Sequence, residues 1–159
     1  MAFLIAVLLA VFGGNHTAPA LAPACAHQAR AVLATTEATP FTASNGAAGC
    51  RLRAGDREVI VMLDSAPQAY TRMEREQVEF WQNAEWSHKA ARASPRPVGH
   101  LGLGGYWFPV QSRLLTTDGV RLITVKVRNW PTGDSAARKA LATRLARVYL
   151  GPLQKPPGY

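Results

Sequence analysis

Apolar and polar positions alternate most regularly between Leu114 and Arg128. There Ile123, Val125 and Val127 fall on one side of an extended chain, and Leu122, Thr124, Lys126 and Arg128 on the other. The turn pair Asp118-Gly119 interrupts the alternation, which predicts a hairpin, and the aromatic stretch Tyr106-Trp-Phe-Pro109 before it predicts a further strand. An earlier hairpin is predicted where Arg51-Leu-Arg53 and Glu58-Val-Ile-Val-Met-Leu63 flank Ala54-Gly55-Asp56. Its second strand is apolar at both parities, as expected of a central strand covered on both faces.

Three segments carry helical periodicity instead. From Ala26 to Ala34, Ala29, Val32 and Leu33 share one side, and His27 and Arg30 the other. Asp64-Ser65 can cap a second helix, with Pro67 in its first turn. That helix places Ala66, Tyr70, Met73, Phe80, Trp81 and Ala84 on one face and Arg72, Arg75, Glu76 and Glu79 opposite. The arginines reach the glutamates at four-residue spacing, so the pattern reads as a solvated ion-paired face and not as a catalytic dyad. Asp134 or Thr132 can cap the last helix, with Ala137, Leu141, Leu145 and Val148 inward and Arg138, Lys139 and Arg147 outward, ended by Gly151-Pro152. Thr35 to Gly49 reads as a loop and Ser87 to Val98 as a basic connector. The expectation is an α+β fold in the order α-β-β-α-β-β-β-α, an antiparallel sheet of about five strands packed with three helices.

The first residues change the setting. Ala2 to Phe12 form an apolar run too short to span a bilayer, followed by small residues and prolines, as in a secretory signal. The expected organisation is a signal peptide at 1–24, one globular domain at 25–152 and a flexible tail at 153–159. No Lys or Arg precedes the run, so the true start is expected upstream of Met1. Cys25 and Cys50 are the only cysteines, and an even count in an exported chain points to a disulfide. Closing that loop is worth about 3 kcal/mol on the chain-entropy model. As a lipid-acceptor site Cys25 is poor, because Ala22 stands where a large aliphatic residue belongs and Leu21 is one position too early. A zinc site of Cys25, His27 and Cys50 would need His88 or His100 as fourth ligand, and the close paired spacing of structural zinc sites is missing.

Charge narrows the partners. At 159 residues the formal net charge is +8, a field that attracts polyanions, although no run of five cations occurs. The polar side of the long strand, Lys126 and Arg128, with Arg113 and Arg121 nearby and Trp107 among the neighbouring aromatics, is the candidate anionic-contact surface. Gly99, Gly102, Gly104 and Gly105 lack the Lys-Ser/Thr ending of a phosphate loop and lead into a strand, so close backbone packing accounts for them. No Gly-x-Ser-x-Gly or His-Glu-x-x-His occurs. His16 leaves with the signal, His27 sits beside the disulfide, and His88 and His100 fall in loops. No catalytic residue, metal ligand or cofactor is therefore assigned.

The expected function is that of an exported, extracellular or cell-envelope, non-enzymatic binding or accessory protein. Its partner would be an anionic polymer, a lipid headgroup or an envelope protein. Nucleic acid is disfavoured, because export removes it and no recognised module is present. Two alternatives stay open: a secreted hydrolase with an unrecognised active site, and a membrane-anchored lipoprotein.

Several stretches also carry a resemblance: a cysteine opening a short helix, a second before Arg-Leu-Arg, Asp64-Ser-Ala-Pro-Gln-Ala-Tyr70, Gly102-Leu-Gly-Gly-Tyr-Trp-Phe-Pro109, Thr116-Thr-Asp-Gly-Val-Arg-Leu-Ile-Thr-Val125 and Tyr149-Leu-Gly-Pro152. In these the chain resembles a family of small, uncharacterised, lipoprotein-like exported domains of actinobacteria. The resemblance implies a helix-plus-antiparallel-sheet fold similar to PsbP-like domains, with two helix-strand-strand halves. It implies no activity, and the poor acceptor box departs from the lipoprotein pattern.

Overall fold

The computed structural model describes residues 25–65, 69–83, 94–130 and 134–153, with the side chains at 69–70 and 80–83 outside that description. The expected signal peptide, His16, His88, and the expected core positions Ala66 and Ala84 thus lie outside the described residues, as do the side chains of the expected core positions Tyr70, Phe80 and Trp81 and the tail beyond Leu153.

The described elements run α1 (His27–Leu33), β1 (Glu37–Thr42), β2 (Ala48–Ala54), β3 (Arg57–Asp64), α2 (Ala69–Asn83), β4 (Arg96–Pro97), β5 (Gly104–Phe108), β6 (Arg113–Thr117), β7 (Leu122–Arg128) and α3 (Ser135–Tyr149). The fold is α+β. All strand pairs are antiparallel, in the order β1-β2-β3-β7-β6-β5-β4. Two meanders, β1 to β3 and β4 to β7, therefore meet at the β3–β7 pair in the middle of the sheet.

Seven strands replace the expected five or so, and the two additions are its edges. β1 lies in the expected loop; only Ala38 and Phe41 in it are partly buried, so no apolar alternation announces it. Pro40 has no amide hydrogen to give and is tolerated because the strand has one free side. β4, only Arg96-Pro97, lies in the expected basic connector and pairs with Trp107 and Tyr106.

Alternation sorts the central strands onto two faces. On one, Cys50 and Leu52 of β2, Val59, Val61 and Leu63 of β3, Ile123, Val125 and Val127 of β7, Leu114 and Trp107 are buried against α1 and α3. Each such aliphatic side chain contributes about 1.5–3 kcal/mol over its exposed state. On the other face Met73 of α2 closes a smaller cluster with Phe108, Leu115 and Leu122. The helices thus lie on both sides of the sheet, α1 and α3 on one, α2 over β6 and β7 on the other.

Cys25 and Cys50 form the expected disulfide, tying the residue before α1 to β2 across a Cα–Cα distance of 5.1 Å. Asp134 caps α3, its Oδ1 accepting from the Ala137 amide at 2.8 Å. The buried stripe of that helix is rotated from the expected one. It comprises Leu141, Ala142, Leu145, Ala146 and Tyr149, while Ala137 and Val148 are only partly buried. Arg138, expected outward, instead donates to Ser112 Oγ at 2.8 Å. Gly102 sits at φ +60° in the expected close approach, where a Cβ would drive into the carbonyl oxygen of Thr117.

Tyr149 carries a pH prediction. Burial pushes its phenol up to about 12, against a smaller opposing effect of its hydrogen bond with the Ala26 backbone. A raised folded pKa favours the protonated form, so the stabilisation is complete below about pH 10 and about 2–3 kcal/mol is lost as pH rises towards 12. Urea unfolding of Tyr149→Phe should lack this alkaline decline; an unchanged decline would contradict the assignment.

Candidate functional site

Hairpin register builds the site. The two-residue turn Gly55-Asp56 pairs Ala54 with Arg57, which sets Arg53 opposite Glu58; β7 then sets Arg128 opposite Glu58 from the other side. One carboxylate consequently faces three guanidinium groups. Glu58 Oε1 lies 3.1 Å from Arg51 Nε and 3.4 Å from Arg53 Nε, and its Oε2 lies 3.7 Å from Arg128 Nη1. The glutamate is nearly enclosed, its side chain 11 % exposed, whereas the three arginines are 44 %, 54 % and 46 % exposed.

Lys126 stands in the next row of the same face, opposite Ile60 of β3 and Arg113 of β6. It makes no ion pair among the described residues. Ile60 is buried between Arg51 and Lys126, its cross-strand neighbours, where their aliphatic stems can cover it while the charged heads stay in water. Glu37 faces Arg53 from β1 and returns one negative charge at the outer rim. An open groove of about 510 Å³ adjoins the cluster, with Glu37, Asp56, Arg57 and Asn129 in its lining.

The sequence-derived candidates part company here. Lys126 and Arg128 lie together on this face. Arg113 is on it too, but it is committed: its Nη1 donates to Glu76 Oε2 at 2.9 Å and its guanidinium lies 4.6 Å from the Phe108 ring centroid. Glu76, expected on the solvated side of α2, is thus partly inside, although its expected four-residue pairing with Arg72 is present at 4.0 Å. Trp107 is 1 % exposed and belongs to the core on the opposite side of the sheet.

Arg121 has a structural task. With the Val120 and Gly151 amides it surrounds Asp118, its own amide reaching Oδ1 at 2.9 Å and its Nη2 reaching Oδ2 at 2.6 Å. This knot fastens the β6–β7 loop to the end of α3. Burial alone would raise the Asp118 carboxyl, but the hydrogen bonds from Arg121, Gly151 and Val120 outweigh it and hold the group below its ordinary value. A depressed folded pKa means the stabilisation is present above the unfolded value and lost as pH falls through the folded one. Asp118→Asn should therefore show a smaller drop in urea midpoint between about pH 5 and about pH 2 than the parent protein; an equal drop would contradict the knot.

Arg51, Arg53 and Glu58 are candidate site residues that residue patterning does not pick out. Their signal was present in the parity of Arg51-Leu-Arg53 and the short turn, which together place both arginines opposite the buried Leu52 and beside Glu58. Chemically the cluster can bind oxyanions and offers no nucleophile. Among the described residues no three His, Cys, Asp or Glu side chains gather as a metal group, and no helix is long and apolar enough to cross a membrane. Cys25 cannot carry a thioether lipid while it is bonded to Cys50. Comparison with family models, curated proteins and solved structures finds no match to this chain.

Proposed function

We propose that the protein is an exported binding or accessory domain of the cell envelope that contacts an anionic ligand through the Arg51, Arg53, Lys126 and Arg128 face. The observation that carries this reading is the surplus of exposed cations around one enclosed carboxylate. The enclosed carboxylate needs a cationic partner, but each further ion pair from a half-exposed arginine contributes only about 0–1 kcal/mol, so stability alone gives little reason for three arginines to share Glu58. The disulfide fits an oxidising compartment, and the apolar run at Ala2 to Phe12 fits export. The actinobacterial exported-domain family and its PsbP-like fold belong to the same proposal.

Retention on a crude cell-envelope preparation at about 0.15 M salt, where the screening length is about 8 Å, tests it. The protein should stay bound, the Lys126→Ala/Arg128→Ala variant should wash off, and Lys139→Ala/Arg147→Ala, with equal charge removed from α3, should stay. Equal loss in both variants, or no retention of the parent protein, would overturn the reading.

A further inference from the structure

Among the described residues the exposed guanidinium groups have most of their donors unspent. Each arginine carries five N–H groups in a planar fork. Arg51 directs Nε at Glu58, Arg53 directs Nε and Nη2, and Arg128 directs Nη1. The three side chains are 44 %, 54 % and 46 % exposed, and all three meet at the one Glu58 carboxylate. Forked guanidinium donors match phosphate oxygens in pairs, and three forks around one point suit a group with several terminal oxygens better than a lone carboxylate.

The surroundings give the ligand a direction. Towards the turn, the adjoining groove carries Glu37 and Asp56 beside Arg57, and the Arg57 guanidinium is engaged over the Trp130 ring at 4.6 Å, so the two carboxylates disfavour a second anion there. Towards the sheet centre, Lys126 lies two residues before Arg128 on the same face, about 7 Å along the strand. An anionic chain seated on the arginines is therefore guided along β7 to Lys126. α2 covers part of this same face, over β6 and β7, and leaves Arg51, Arg53 and Arg128 about half exposed. A chain laid along β7 reaches both Arg128 and Lys126, which a compact solute seated on the arginines does not.

Resting on the anionic-contact reading above, we infer that this face binds a phosphate-bearing polymer, and that Glu58 is a positioning residue holding the three arginines in place for it. Among the described residues the Glu58 carboxylate pairs with the three arginines, and in this role it forms no bond to the ligand. Its role has a consequence opposite to that of simple charge attraction. Replacing it by glutamine makes the face more positive, so a diffuse electrostatic surface would bind polyanions more tightly. A positioned site would bind them more weakly, because three long side chains must then be ordered at the moment of binding.

The experiment is titration calorimetry at about 0.15 M salt with short inorganic polyphosphate, with polyglutamate of matched charge, and with phosphatidylglycerol vesicles. The parent protein should bind polyphosphate in preference to both other probes. Glu58→Gln should weaken polyphosphate binding by about tenfold, and so should the charge-preserving triple variant Arg51→Lys/Arg53→Lys/Arg128→Lys. Circular dichroism and a urea midpoint on each variant separate lost binding from lost fold, and the lysine variant decides the matter if Glu58→Gln fails to fold. Tighter binding by Glu58→Gln, undiminished binding by the lysine variant, or preference for polyglutamate or vesicles would overturn the inference while leaving an anionic-contact face standing. Absence of binding to all three probes by the parent protein would overturn both.

Discussion

Trp107→Ala should lower the unfolding free energy by about 3–5 kcal/mol and leave the affinity of any protein that still folds unchanged. The indole is 1 % exposed and packs in the larger core cluster between the sheet and its α1 and α3 layer. Removing it leaves a cavity that β5 and β6 cannot fill, because their registers are fixed by five cross-strand pairs. Its Nε1 is buried without a hydrogen-bond partner, so Trp107→Phe should cost much less than Trp107→Ala: the lost volume is smaller and the unsatisfied N–H goes with it. Guanidinium unfolding curves of the two variants check this. Equal, small effects on stability joined to a loss of ligand binding would place the indole at a contact surface instead.

The second large effect is that of the disulfide. Reducing it, or replacing both cysteines by alanine, should cost about 3 kcal/mol and lower the thermal midpoint by roughly 10 °C. The bond closes a separation of 25 residues, and within that loop lie α1 and the edge strand β1. α1 has only seven residues, too few for a helix to persist without tertiary support, and its buried contacts are chiefly Ala29 and Leu33. Hydrogen exchange should accordingly rise first in α1 and β1 when the bond is cut, with β3 and β7 keeping their protection. A midpoint unmoved by reduction would show that the staple contributes nothing to the native state.

Which elements were legible in the sequence follows from where they lie. Strands β3 and β7 at the middle of the sheet, the β6–β7 hairpin and the last helix all announce themselves, because burial on one or both faces imposes a period on their residues. The edge strands do not. β1 reads Glu-Ala-Thr-Pro-Phe-Thr and is held by backbone pairing with β2, which requires no apolar pattern of its own. The buried stripe of α3 is rotated by part of a turn from the one its periodicity predicts, since Tyr149 and Arg138 are amphipathic and their inward direction depends on Ala26 and Ser112, partners distant in sequence.

The site shows the same division between local and long-range information. Lys126 and Arg128 could be placed on a wet face by parity alone. That Arg113 and Arg121 are consumed by Glu76 and Asp118 could not, because those contacts join separate elements. Likewise Trp107 looked available from its aromatic company, yet the alternation of β5 sends it to the opposite side of the sheet from Tyr106 and Phe108. Glu58 gains its three arginines only when β7 pairs with β3, the one contact between the two meanders that no local turn dictates.

The most direct test of the anionic-contact face is a backbone amide chemical-shift titration of the isotope-labelled protein with inorganic polyphosphate at about 0.15 M salt. The account predicts perturbations centred on Arg51, Arg53, Glu58, Lys126 and Arg128, fading across β6 and absent from the outer residues Lys139 and Arg147 of α3. Shifts spread over every basic residue, or centred on α3 or the Asp118–Arg121 loop, would contradict it.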